Sequence, residues 1–125
     1  METMSVASSV DIGKKEAQPA QGKTYAAEKY MVEQMRGGKR FIYTSPTKKL
    51  CEQTYTNVLA SMTEEDHKGY KAVRVDSDTV DGSVVHSFMR SVLEKDNIIV
   101  MTHKGLFNLG LHDIDLSAYE LIIDE

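Results

Sequence analysis

Short apolar runs alternate with longer helical patterns along this chain, and that alternation restricts its fold more than any other feature. Strands that alternate with helices predict a parallel sheet covered by helices. The predicted strands are residues 41–43, 71–77, 98–101 and 121–123, and the predicted helices are residues 23–35, 47–62 and 83–96. We therefore expect an α/β domain over residues 9–125, preceded by a flexible polar tail at residues 1–8.

Composition excludes several classes of protein. The chain has 125 residues, which suits one domain, and its formal net charge is −4, so nucleic-acid binding has to be local rather than polycationic. The sequence contains no apolar run as long as a membrane span and does not begin like a signal peptide. The lone Cys51 rules out an internal disulfide. These features predict a cytoplasmic or nucleic-acid-associated protein with no membrane partner.

The stretch AQPAQGKT, residues 17–24, has the spacing of a phosphate-binding loop, in which a small residue and four others precede Gly-Lys-Ser/Thr. Backbone N–H groups of such a loop and of the helix that follows face phosphate oxygens. Lys23 would reach the β- and γ-phosphates of ATP, and the Thr24 hydroxyl would bind Mg²⁺. The alternative is a polar turn before a helix. The predicted ATP-binding residues are Ala17, Gln18, Pro19, Ala20, Gln21, Gly22, Lys23 and Thr24.

A second acidic element follows at the end of the chain, where YELIIDE combines an apolar strand with two carboxylates. Phosphate-binding loops work with a carboxylate at the end of such a strand, which holds Mg²⁺. Asp124 is the predicted metal-side carboxylate, and Glu125 is predicted to activate the attacking water. The alternative is a buried strand with a frayed acidic end.

Taken in series, the loop, YTSPTKKLCEQ, VMTHKGLF and LIIDE resemble the first RecA-like domain of a superfamily 2 helicase of the DEAD/DEAH type. The resemblance covers about residues 11–125 and implies a P-loop NTPase fold, ATP and Mg²⁺ as cofactors, and single-stranded or duplex nucleic acid as partner. Motif Ia of the family matches residues 45–53, and motif Ib matches residues 102–103. The implied nucleic-acid contacts are Ser45, Pro46, Thr47, Lys48, Thr102 and His103.

The residues themselves agree with those contacts. Ser45, Thr47 and Thr102 lie at or just beyond the carboxyl ends of predicted strands, where open α/β sheets bind ligands. Their hydroxyls, a helix N-terminus and the Lys48 charge are suited to phosphates. Such contacts position a nucleic-acid backbone without reading its sequence. The alternative for Lys48 is a solvated helix face, and for His103 it is a hydrogen-bonded loop histidine.

The resemblance ends at motif II, so we expect a RecA-like domain that is incomplete at its C-terminus. Motif III, the second RecA-like domain and the arginine fingers of the family have no counterpart in the sequence. We therefore expect weak nucleotide binding, little or no hydrolysis, and marginal stability caused by an exposed sheet edge.

Two alternatives remain. One is another small P-loop NTPase or kinase, which would need a lid with clustered arginines that the sequence lacks. The other is a non-catalytic nucleic-acid-binding fragment, whose salt-dependent binding would not respond to ATP.

Overall fold

The computed structural model describes residues 20–79, 82–109 and 115–124. Its helices and strands confirm the α/β class, with every described strand parallel to its neighbours. The elements in chain order are α1 (Ala20–Met35), β1 (Arg40–Ser45), α2 (Lys48–Ser61), α3 (Glu64–Gly69), β2 (Ala72–Arg74), α4 (Val84–Leu93), β3 (Ile98–Thr102), α5 (His103–Leu109) and β4 (Tyr119–Ile123).

The four strands form one sheet in the order β2-β3-β1-β4. Five of the six residues of β1 and four of the five residues of β3 are buried, because these strands lie inside the sheet and carry helices on both faces. The register aligns Ser45 with Thr102 and Thr44 with Ile123. The carboxyl ends of β1, β3 and β4 therefore meet at the same edge of the sheet, where Ser45, Thr102 and Asp124 of the predicted site lie.

Alternate residues of each strand contribute to two hydrophobic cores, one on each face of the sheet. One core packs α1 and α2 against Phe41, Tyr43 and Ile122. The other packs α4 and α5 against Ile42, Ile99 and Met101. Because side chains alternate across a strand, Tyr43 and Asp124 lie on the α1 face, whereas Thr44 lies on the opposite face. This separation sets which site residues can meet.

The first helix begins at Ala20, whereas the sequence predicted its start at about Lys23. Ala20 and Gln21 are good helix formers and extend the helix backwards into the predicted loop. Gly22 consequently lies inside the helix rather than before it. At the other end, Gly38 has a φ of +97°, a left-handed conformation that glycine accommodates after a helix. The predicted tail at residues 1–8 and the loop residues Ala17, Gln18 and Pro19 lie outside the described residues.

Two short helices were not predicted. The stretch TEEDHKGY, which falls between a predicted helix and a predicted strand, contains α3, because Thr63 and Asp66 form a capping box in which each side chain accepts a hydrogen bond from the other's backbone N–H. The segment after β3 forms α5, in which the Gly105 N–H donates to the Thr102 hydroxyl over 3.0 Å. Both helices are too short for apolar periodicity to reveal them.

Other boundaries shifted by a few residues. Thr47 and Ser83 are N-caps, whose side chains accept from backbone N–H groups of α2 and α4. The predicted strand at residues 71–77 is reduced to β2. Cys51 is fully buried, and burial raises the pKa of its thiol to about 11.

Candidate functional site

Two residues predicted to share a Mg²⁺ ion lie next to each other although 100 positions separate them. The hydroxyl of Thr24 on α1 donates to Oδ2 of Asp124 over 3.4 Å. Asp124 follows β4 directly, and its backbone N–H donates to the Thr44 carbonyl over 2.9 Å. The parallel pairing of β1 and β4 thus carries the carboxylate to the helix that contains Thr24.

A third side chain, which the sequence analysis did not identify, contacts the same carboxylate. The Tyr43 hydroxyl donates to Oδ2 of Asp124 over 2.7 Å. Tyr43 is paired with Ile122, so Asp124 is its diagonal neighbour on the same face of the sheet. Tyr43 is fully buried, and burial, followed by the Asp124 charge, raises the pKa of its phenol well above the ordinary value. The phenol therefore keeps its proton at neutral pH and remains a donor.

A second carboxylate, that of Glu28, lies within reach of the Asp124 charge. Glu28 lies one turn after Thr24 on α1 and is only 4% exposed. Burial raises its pKa, a hydrogen bond from the Asn57 amide lowers it, and the Asp124 charge raises it further. The Asn57 Nδ2 atom donates to Glu28 Oε2 over 3.2 Å. The site thus combines hydroxyl donors with two carboxylates in a partly buried region.

The donor set fits Mg²⁺ bound together with a nucleotide. Mg²⁺ prefers oxygen ligands and is commonly held by one or two carboxylates, waters and substrate phosphates rather than by a protein cage. The Thr24 hydroxyl and the Asp124 carboxylate offer oxygens of this kind, 3.4 Å from each other. Among the residues that the structure describes, no group of three or more His, Cys, Asp or Glu side chains is arranged to hold a metal. The donors present suit a metal that arrives with phosphates.

The structure describes only part of the predicted phosphate loop. Ala20, Gln21, Gly22 and Lys23 lie in the first turns of α1, and Ala17, Gln18 and Pro19 lie outside the described residues. Glu125, the predicted water-activating residue, also lies outside them. Their roles therefore stay predictions.

The predicted nucleic-acid residues are distributed around a different part of the same edge, above β1, β2 and β3. A cleft of about 500 Å³ lies there. Its lining includes Pro46, Lys48 and Thr102 from the predicted set, together with Asp76, Ser77, Lys104 and Asn108. The cleft thus joins the predicted motif Ia and motif Ib residues, which are about 55 positions apart in the sequence.

Several polar side chains around this cleft already serve the local fold. The Thr47 hydroxyl accepts from the Leu50 N–H over 3.1 Å, and the Thr102 hydroxyl accepts from Gly105. His103 Nδ1 lies 2.9 Å from the Thr44 hydroxyl. Ser45 is fully buried, so its side chain faces the interior. Lys48 is the predicted contact in this set whose charge lies at the surface.

The charges at the cleft are mixed. Lys48 Nζ lies 3.1 Å from Asp78 Oδ1 and 3.0 Å from the Ser77 hydroxyl. Arg74 Nε lies 2.8 Å from Oδ2 of the buried Asp76. The Lys48–Asp78 pair is exposed, and exposed pairs contribute only about 0–1 kcal/mol. The ion pair with Asp78 therefore holds the Lys48 ammonium only weakly.

Within residues 20–79, 82–109 and 115–124, no helix combines the length and apolar character that crossing a bilayer requires.

Comparisons with known proteins agree with the geometry. Searches of curated proteins and of solved structures find no match. The family model for the DEAD/DEAH box helicase matches residues 14–125, which is most of the chain. The chain therefore belongs to the DEAD/DEAH box helicase family.

Proposed function

We propose that this chain binds ATP with Mg²⁺ as the nucleotide-binding segment of an ATP-dependent nucleic-acid helicase. Its family generally uses ATP and Mg²⁺ and binds nucleic acid. The observation that supports the proposal best is the 3.4 Å contact between Thr24 and Asp124, because it unites the two halves of the predicted site. Neither half alone distinguishes a nucleotide site from a turn before a helix and an acidic strand end.

Each residue of the site has a specific part in this proposal. The backbone of residues 17–22 and the Lys23 ammonium hold the phosphates. The Thr24 hydroxyl and the Asp124 carboxylate would hold Mg²⁺. When bound, the ion would neutralise phosphate charge and so stabilise the transition state of phosphoryl transfer. Glu125 is the residue proposed to orient the attacking water.

The cleft beside Lys48 and Lys104 is the proposed contact with nucleic acid. Two lysines and the N-terminus of α2 favour a phosphate backbone. The carboxylates of Asp76 in the cleft wall and of Asp78 beside Lys48 limit how much negative charge the cleft attracts. Binding here is therefore expected to be weak, dependent on salt and indifferent to base sequence.

Binding of a fluorescent ATP analogue tests the proposal directly. We expect the wild-type chain to bind the analogue more tightly with Mg²⁺ than with EDTA. Lys23→Ala should weaken binding at least about tenfold under both conditions, the range expected for loss of a charge-assisted contact. Lys29→Ala is the matched control, since Lys29 is exposed on the same helix. Far-ultraviolet circular dichroism shows whether each variant is folded.

Two results would contradict the proposal. One is a folded wild-type chain that binds no analogue at millimolar concentration. The other is equal binding by the wild-type chain and Lys23→Ala. Binding of single-stranded nucleic acid without any response to ATP would instead favour the non-catalytic alternative.

A further inference from the structure

Asp124 is held by a tyrosine whose position no motif assigns. We propose that Tyr43 is a positioning residue for Mg²⁺ binding: its hydroxyl fixes the Asp124 carboxylate in the orientation that receives the metal. This inference rests on the proposed nucleotide-binding function and adds a residue to it.

The first argument is the strength and placement of the contact. The Tyr43 hydroxyl lies 2.7 Å from Asp124 Oδ2, a distance typical of a hydrogen bond between a hydroxyl and a carboxylate. Thr24 donates to the same oxygen over 3.4 Å. Two donors from different elements converge on one oxygen, so they restrict rotation of the carboxylate about its own side chain. The Tyr43 bond is the shorter of the two.

The second argument is that Tyr43 itself is fixed. Its side chain is fully buried in the core between the sheet and the helices α1 and α2. Its strand is paired with β3 on one side and β4 on the other. A ring held in this way cannot move away from Asp124 without disturbing the core. The hydroxyl therefore acts as a rigid support rather than as an adaptable surface contact.

The third argument concerns Thr24. If Mg²⁺ takes the Thr24 hydroxyl as a ligand, the hydrogen of that hydroxyl can still be directed to Asp124. The position of the hydroxyl is then set by the metal rather than by this hydrogen bond. Tyr43 is proposed not to bind the metal, so its hydrogen bond to Asp124 does not compete with metal binding. The Tyr43 bond then maintains the orientation of the carboxylate both before and after the metal binds.

The test compares Tyr43→Phe with the wild-type chain. Phenylalanine keeps the ring and its packing and removes only the hydroxyl. Affinity for the fluorescent ATP analogue is measured with saturating Mg²⁺ and again with EDTA, and the ratio of the two affinities gives the contribution of the metal. We expect Tyr43→Phe to leave the EDTA affinity unchanged and to lower the ratio about tenfold, as for loss of groups that orient metal ligands.

Tyr119→Phe is the matched control. Tyr119 is also buried, and its hydroxyl donates to the Asp96 carbonyl over 2.6 Å, away from Asp124. Both variants lose one hydrogen bond made by a buried tyrosine, and the stability that each loses is measured by thermal unfolding. Tyr119→Phe is nevertheless expected to keep the wild-type ratio, which separates positioning of the carboxylate from general destabilisation.

The outcomes are distinguishable. A wild-type chain that gains affinity from Mg²⁺ and a Tyr43→Phe variant that gains equally would overturn the inference and leave the proposed function standing. A fall in the ratio that Tyr119→Phe shares would also overturn it. A wild-type chain that binds no analogue would overturn the proposed function, and the inference with it.

Discussion

The two halves of the sheet's carboxyl edge use their polar side chains differently. Beside β4, Thr24 and Tyr43 donate to Asp124 across elements 100 and 81 positions apart. Around the cleft, the Thr47 and Thr102 hydroxyls serve caps and turns three residues away. The first half depends on the pairing of β1 with β4, whereas the Lys48–Asp78 pair that joins distant elements at the cleft is exposed. A single substitution should therefore weaken ligand binding strongly beside β4, the nucleotide side of the edge, and only weakly at the cleft.

The largest expected effect comes from the centre of the nucleotide side. Asp124→Asn removes the charge that attracts the metal while keeping the shape of the side chain. We expect it to abolish the gain in analogue affinity from Mg²⁺, a loss of at least about 100-fold in metal affinity, since even supporting groups cost 10–100-fold. Fluorescence titration with Mg²⁺ and EDTA measures this loss. A variant that retained the Mg²⁺ gain would show that the two halves of the edge do not differ as described.

A smaller effect is expected at the cleft. Lys48→Ala should weaken binding of single-stranded nucleic acid a few-fold and reduce the slope of log affinity against log salt by about one. Asp78→Asn should instead strengthen this binding, because it removes the carboxylate that lies 3.1 Å from Lys48. Fluorescence anisotropy at several salt concentrations measures both variants.

Lys68→Ala is the charge-matched control for Lys48→Ala. Lys68 is exposed on α3 and does not line the cleft. If its substitution changed the salt slope as much as Lys48→Ala does, net charge rather than the cleft would explain the binding.

The smallest effect on ligand binding is expected from an ion pair outside both halves. Arg36 contacts Asp66 through two nitrogens, at 2.7 and 3.0 Å, and joins the end of α1 to α3. This guanidinium, together with the Thr63 backbone N–H, holds the pKa of Asp66 well below its ordinary value. A lowered pKa means that the charged carboxylate stabilises the fold above about pH 4, and that this contribution is lost as the pH falls below the ordinary pKa.

Asp66→Asn should therefore lower the melting temperature at pH 7, and the difference from the wild-type chain should narrow below about pH 4. The asparagine oxygen can still accept from the Thr63 N–H, so the helix cap is retained. Analogue and nucleic-acid affinities should stay within about twofold, because Asp66 touches neither half of the edge. A melting difference that did not depend on pH would contradict the assigned role of the ion pair.

The sequence by itself determined the architecture. Alternating strand and helix patterns predicted the parallel sheet, and two motifs singled out Thr24 and Asp124, whose side chains the structure places 3.4 Å apart. The prediction of the sheet succeeds because apolar periodicity and the parallel arrangement of strands are local or topological properties. Parallel strands place their carboxyl ends together whatever the details of packing.

Tertiary structure alone decided which further side chains join the site. From the sequence, Tyr43 is one residue of a predicted strand. Its contact with Asp124 depends on the register of β1 against β4, in which it pairs with Ile122. The spacing of four residues between Thr24 and Glu28 could have indicated that they share a helix face. The burial of Glu28, however, depends on the packing of α1 against α2. The same packing assigned Ser45 to the interior and left Lys48 at the surface. Register and packing are set by the whole core, so no local pattern contains them.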